Sequence, residues 1–228
     1  LNITETRISV IQCTDCELSQ TCRTPIPFNV PSASRGEHFI VLGEAPGRIE
    51  DRKGQAFQGP AGTYLRRALK RAGLDPTNGI YMNVVCCFPH GTPKPEHIAA
   101  CRRNLYNQLM CFHKDDMRML VCGNIALHSL LPHGEMKNIM GEWVYVPTFN
   151  MHMVPVWHPS FVAFKASRDG QIRWQRDIDA FAGIPTGMTH CVYCTKSRAD
   201  GYFTCWKHRE LWRKDTTWKR SVIQQRLL

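Results

Sequence analysis

The sequence predicts an α/β protein: a three-layer α/β/α sandwich on a mostly parallel central sheet, with a small C-terminal zinc-binding module added to it. Three observations carry this reading. Apolar runs too short for helices stand at 38–42, 80–87 and 117–122, each running into turn or polar residues. Between and after them, segments 63–72, 96–113 and 167–182 carry apolar residues at helical spacing. Strands that alternate with helices build a parallel sheet covered on both faces. Third, composition shifts after Gly183 to Gly187, which divides the chain into a domain at 1–183 and an appendage at 184–228.

In chain order, residues 8–11 form a short apolar turn or strand, and Cys13 and Cys16 then make a CxxC pair. Two thiolates at that spacing reach one metal centre, but the pair alone fits a zinc half-site, a redox pair or inert thiols equally well. Cys22 follows among Pro25, Pro27 and Pro31, which keep the chain extended. The run 38–42 empties into Gly43-Glu44-Ala45-Pro46-Gly47, a turn that presents backbone and one carboxylate at the edge of the sheet, where α/β folds place ligands. In helix 63–72, Leu65, Ala68 and Leu69 share one face and Arg66, Arg67, Lys70 and Arg71 the other.

Strand 80–87 holds Asn83 among apolar neighbours. A buried amide is either tied to another strand or reserved for a ligand, since leaving it unpaired costs on the order of 1–3 kcal/mol. A Pro-rich loop leads to helix 96–113, with Cys101 in its first turns. Strand 117–122 and a short helix at 125–131 follow, then paired strands at 142–146 and 153–156. The last strand runs directly into Trp157-His158-Pro159-Ser160-Phe161. Helix 167–182 closes the domain on an apolar stripe of Ile172, Trp174, Ile178 and Phe181.

Composition narrows the functional classes. The 29 Lys and Arg against 19 Asp and Glu give a charge of +10, which favours a polyanionic partner and is equally compatible with an ordinary basic enzyme. No run reaches the roughly 18–20 apolar residues of a membrane span, and no secretory leader is visible. The expectation is a soluble, monomeric protein without a membrane partner, in the cytoplasm of a prokaryotic or virus-infected cell and associated with the nucleoid. The 11 cysteines, odd in number and unevenly spaced, argue for metal or cluster ligation over a disulfide framework. Cys111 and Cys122 lie in apolar runs and are expected to be buried and inert. Near the end, Cys191 and Cys194, then Cys205 and His208, supply the four ligands of a zinc knuckle pair, and a basic tail with Trp212 and Trp218 follows.

Gly43 to Gly47, Phe57 followed by Gly59 and Ala61-Gly62, Asn83-Val84-Val85 before Cys87, and His158-Pro159-Ser160 occur in this order in one chain. Together they resemble the iron-sulfur uracil-DNA glycosylases, the family 4 branch of the uracil-DNA glycosylase superfamily, over about residues 10–182. The resemblance implies a monofunctional DNA glycosylase that hydrolyses the N-glycosidic bond of a flipped-out uracil and leaves an abasic site. Cys13, Cys16, Cys87 and Cys101 occupy the places of the ligands of a structural [4Fe-4S] cluster; Cys22 and Cys86 compete for the later two. Phe57 occupies the place of the stacking aromatic and Asn83 that of the amide reading the pyrimidine edge, with Ala45 beside them. His158 takes the place of the residue that stabilises charge on O2. Glu44 is expected to position water or steady the cationic sugar. Ser160, Phe161, Lys165 and Arg168 are expected on the DNA, with 161–168 entering the duplex. Glu50 and Asp51 are read as a helix N-terminal charge pair with an accessory role open. A glycosylase for a modified pyrimidine, or a non-catalytic nucleic-acid-binding member of the fold, are the alternatives.

Overall fold

The computed structural model describes residues 2–31, 38–112 and 117–183, together with the backbone of two short strands beyond them. Its sheet has β1 (Phe39–Gly43) between β2 (Gly79–Asn83) and β3 (Arg118–Cys122), with β5 (Met151–Val156) next to β3 and β4 (Val144–Val146) at the far edge. The order is β2-β1-β3-β5-β4, and all pairings are parallel except β4 with β5. Every residue of β1, β2 and β3 is buried, as continuous apolar runs require in a sheet covered on both faces.

Alternation along β1 feeds two cores. Ile40 and Leu42 join Met82, Leu105, Leu109 and Leu127 on one face. Phe39 and Val41 join Leu65, Leu69, Trp174 and Phe181 on the other. The first face is covered by α5 (Pro95–Met110) and α6 (Asn124–Leu130), the second by α4 (Pro60–Arg71), α8 (Pro159–Phe164) and α9 (Arg168–Ala182). The three-layer expectation therefore holds. Arg118 of β3 is buried and donates to the carbonyls of Phe181 and Ala182, so a sheet residue satisfies the C-terminal end of α9.

Local departures from the expected elements have local causes. Residues expected as a turn or strand at 8–11 belong to the helix α1 (Ile3–Ile11), because Asn2 accepts from the Thr4 and Glu5 amides at 2.8 and 3.3 Å and starts a helix through a β-branched run. Helix α4 begins three residues early, with Gly59 at its cap and Pro60 in its first position. Strand β2 stops at Asn83, short of the expected 87, although Val84 and Val85 still donate to the carbonyls of Gly43 and Glu44 at 3.0 Å. Cys111 is half-exposed, not buried as expected, with its sulfur 3.3 Å from Thr6 Oγ1 where α1 meets α5. Cys122 is fully buried. The short helices α2 (Leu18–Thr21), α3 (Arg48–Lys53) and α7 (Met136–Ile139) add to the expected elements.

Among the described residues, no helix is long and apolar enough to cross a membrane. Beyond the domain, β6 (His190–Cys191) and β7 (Cys194–Ser197) pair antiparallel, with Cys191 opposite Cys194. Cys205, His208, Trp212 and Trp218 lie outside the described residues.

Candidate active site

The carboxyl ends of β1, β2 and β5 open into a cavity of about 670 Å³ whose lining includes Glu44, Ala45, Phe57, Asn83, His158 and Ser160. A cleft at this edge of a parallel sheet is the ordinary ligand position of the architecture. Four separated segments thus meet around one space.

Asn83 ends β2 directly opposite Gly43 of β1. Its side chain is 5% exposed, and among the described residues it makes no hydrogen bond to protein. The amide therefore does not tie two strands together; both of its polar atoms remain for whatever fills the cavity. Gly43 makes the arrangement possible, since a Cβ there would meet the side-chain Oδ1 of Asn83 and stand 2.7 Å from Phe57 Cζ.

Phe57 is held in an uncommon backbone state, φ +58°, outside the range that bulky residues favour. Several contacts hold it there. Its carbonyl accepts from Arg66, whose guanidinium also lies 4.2 Å from the centre of the Tyr81 ring. Tyr81 in turn packs on Phe57 with ring centres 5.6 Å apart. A Cβ at Gly62 would run into the Phe57 carbonyl, so the Ala61-Gly62 pair provides close backbone approach. The sequence pattern places Arg66 only on a solvent face.

His158 caps α8. Its Nδ1 accepts from the Ser160 backbone amide at 3.3 Å and lies 2.7 Å from the Ser160 hydroxyl. A backbone N–H can only donate, so Nδ1 is unprotonated and the neutral ring carries its proton on Nε2. Burial depresses the pKa to about 4, against a smaller opposing influence of the Glu50 charge. The hydroxyl of Ser160 donates its proton to the unprotonated Nδ1 of His158. The Ser160 hydroxyl and amide thus both orient the imidazole.

Glu44 is half-buried, and desolvation raises its pKa above the ordinary 4.5. Among the described residues its carboxylate has no hydrogen-bond or ion-pair partner. Glu50 differs: its Oε1 accepts from the Gly59 amide at 2.6 Å and its Oε2 from the Gly47 amide at 3.2 Å. One carboxylate so ties the loop after β1 to the start of α4. Asp51 accepts from the Arg23 amide at 2.9 Å, fixing the segment after Cys22. Both are structural tethers.

At the rim, Phe161 and Phe164 are 41% and 68% exposed, and Phe164 lines the cavity. Phe161 rests edge-on against Trp157 at 5.3 Å, and the Trp157 carbonyl accepts from Trp174 Nε1 at 2.9 Å. Lys165 and Arg168 are exposed on the turn from α8 to α9. Phe88 and His90 also line the cavity, with rings 4.4 Å apart, and His90, which carries no signal in the sequence pattern, adopts φ +55°.

A second gathering involves thiols. Cys22 lies beside Cys87, and Cys86 beside Cys101. Cys16 lies close enough to Cys13 and Cys101 to feel their charge, and Asn104 donates to Cys13 Sγ at 3.2 Å. His97 of α5, bonded to Glu17 at 2.7 Å, clamps the CxxC segment onto the helix carrying Cys101. All of these cysteines are free of disulfides. They contact one another as thiols; among the described residues no three metal-ligating side chains stand at coordinating positions. A donor set composed only of sulfur suits iron-sulfur or zinc chemistry and not a hard cation.

A fold of this topology with an amide, an aromatic ring, a carboxylate and a neutral imidazole around one cleft matches the family model of the uracil DNA glycosylase superfamily over residues 33–178, and the chain belongs to that superfamily. Within it, the chain is 30% identical over 168 residues to the type-4 uracil-DNA glycosylase of Thermotoga maritima, covering 70% of this chain and 82% of the relative. The type-4 uracil-DNA glycosylase of Pyrobaculum aerophilum is 27% identical over 183 residues, covering 75% and 88%. That of Archaeoglobus fulgidus is 26% identical over 166 residues, covering 68% and 80%.

Proposed function

We propose that this protein is a DNA glycosylase that hydrolyses the N-glycosidic bond of a flipped-out uracil in DNA, releasing the base and leaving an abasic site. The observation that carries the reading is the buried, unpartnered amide of Asn83 opening into a cleft beside a neutral histidine. A base within a duplex is out of reach, so its nucleotide must be extruded into such a cleft. Asn83 Nδ2 donates to uracil O4 while its Oδ1 accepts from N3–H, and Phe57 stacks on the ring face. As the bond to the sugar weakens, negative charge collects on the base; His158 Nε2–H donates to O2, where that charge is greatest. A neutral donor whose other nitrogen is fixed by Ser160 needs no proton transfer to do this. Glu44, when ionised, steadies the cationic sugar or accepts a proton from the attacking water. Water supplies hydroxyl to the sugar carbon and the departing base ends protonated. Ala45 leaves room beside the base, and Phe161, Phe164, Lys165 and Arg168 contact the DNA around the extrusion point. Uracil release from single- and double-stranded uracil-containing DNA tests the reading, with modified pyrimidines alongside to define the pocket.

Cys13, Cys16, Cys87 and Cys101 would hold a [4Fe-4S] cluster, supported by the sulfur-only donor set. Bound there, the cluster would cross-link the N-terminal segment to α5. Cys22 and Cys86 touch two of these thiols, so single serine variants define the true ligands: loss of the brown chromophore in Cys87→Ser with retention in Cys22→Ser is the expected pattern. Cys191, Cys194, Cys205 and His208 would bind Zn²⁺, supported by their spacing and by the register that sets Cys191 opposite Cys194. Elemental analysis of the full chain should find zinc that Cys191→Ser removes.

A further inference from the structure

A second groove, of about 710 Å³, runs alongside the active-site cavity. Ile49, Gly59, Pro60 and Phe164 form walls of both, so the two spaces are neighbours across a shared partition. Three exposed cations line the groove, Arg52 and Lys53 from the last turn of α3 and Arg67 from α4. No carboxylate lines it, and among the described residues none of the three cations is ion-paired. The acidic residues of α3 do not neutralise the groove, because Glu50 and Asp51 are buried and bonded to the amides of Gly47, Gly59 and Arg23. Two aromatic rings complete the lining. Tyr64 is backed by Trp174 at 5.4 Å between ring centres, and Phe164 stands exposed at the partition. Unpaired cations with interleaved aromatic faces in an open groove are the features that let a protein track a single nucleic-acid strand.

We propose that this groove carries the DNA strand that bears the target nucleotide, gripping phosphates beside the extrusion point with Arg52, Lys53 and Arg67. The proposal deepens the glycosylase reading and rests on the cavity receiving an extruded nucleotide. Contiguity selects the strand: a nucleotide seated in the cavity keeps its backbone at the rim, and the next phosphates on that strand meet the shared partition first. The complementary strand lies across the width of a duplex from it.

The test is the salt dependence of binding to oligonucleotides carrying a sugar-fluorinated deoxyuridine that resists hydrolysis, single-stranded and duplex. For the full-length variant Arg52→Gln/Lys53→Gln/Arg67→Gln, affinity at low salt should fall at least ~10-fold for both forms. The slope of log K against log salt should become shallower by about 2 on the single strand, at about 0.7 for each phosphate no longer neutralised. The variant Arg52→Lys/Arg67→Lys, which keeps the charge, should retain the wild-type slope, showing that the weaker binding does not come from damaged folding. An unchanged slope in the glutamine variant would overturn the proposal, and so would a loss confined to the duplex, which would assign the groove to the complement. If the wild type releases no uracil but the slope changes as stated, the strand channel stands while the catalytic reading fails.

Discussion

Asn83 and His158 make opposite demands on their surroundings, and each gives a separable prediction. Asn83 loses no protein hydrogen bond when truncated, so Asn83→Ala should change the stability read from denaturant unfolding by less than about 1 kcal/mol while lowering kcat/KM for uracil release ~10²–10³-fold. A residue that merely joined two strands would show the reverse pattern. His158 is already neutral throughout the ordinary working range, since its pKa in the folded protein is about 4 against an ordinary 6.5. The pH profile of kcat/KM should therefore show no inflection near 6.5. Its acidic limb should follow Glu44, at a value above 4.5 because burial opposes ionisation, and Glu44→Gln should abolish that limb. The same histidine links stability to pH. Below about 6.5 the unfolded chain takes up a proton that the folded chain refuses, so stability present at neutral pH is lost progressively as pH falls towards 4. In His158→Gln that part of the pH dependence should be missing from denaturation midpoints measured across this interval.

At the scale of elements, the loop after β1 and the start of α4 are held by one carboxylate. Glu50→Gln replaces two acceptor oxygens with one acceptor and an amide that confronts a backbone N–H, so urea denaturation should register a destabilisation of about 1–3 kcal/mol. The strands and longer helices were legible because burial on both faces writes continuous apolar runs, and one-sided burial writes a helical stripe, as in 63–72 and 167–182. Asn83 was legible for the complementary reason: a polar side chain interrupts an apolar strand. Arg66 and Glu50 were not. Arg66 acts on a backbone carbonyl nine residues away and on a ring in another element. Glu50 acts on two backbone amides. Such contacts leave no periodic trace in side-chain pattern. Helix α1 departs from its expected form for a related reason, since one capping side chain outweighs the strand preference of its Ile and Val residues. His90 is silent in the sequence because a left-handed backbone at a non-glycine residue has no compositional mark.

Across the whole molecule, the parallel sheet brings together residues far apart in sequence, from Glu44 to His158, at one edge, and Arg52, Lys53 and Arg67 line the groove beside that edge. The combined architecture sets a cleft with a buried amide and a neutral imidazole beside a basic groove. The measurement that bears on this most directly is quantification of free uracil released from a uracil-containing single-stranded oligonucleotide by anaerobically purified wild type, Asn83→Ala and His158→Ala. Stoichiometric base release by wild type, falling at least ~10²-fold in each variant while both still bind the oligonucleotide, is the predicted result. Equal release by all three proteins, or none by the wild type, would contradict it.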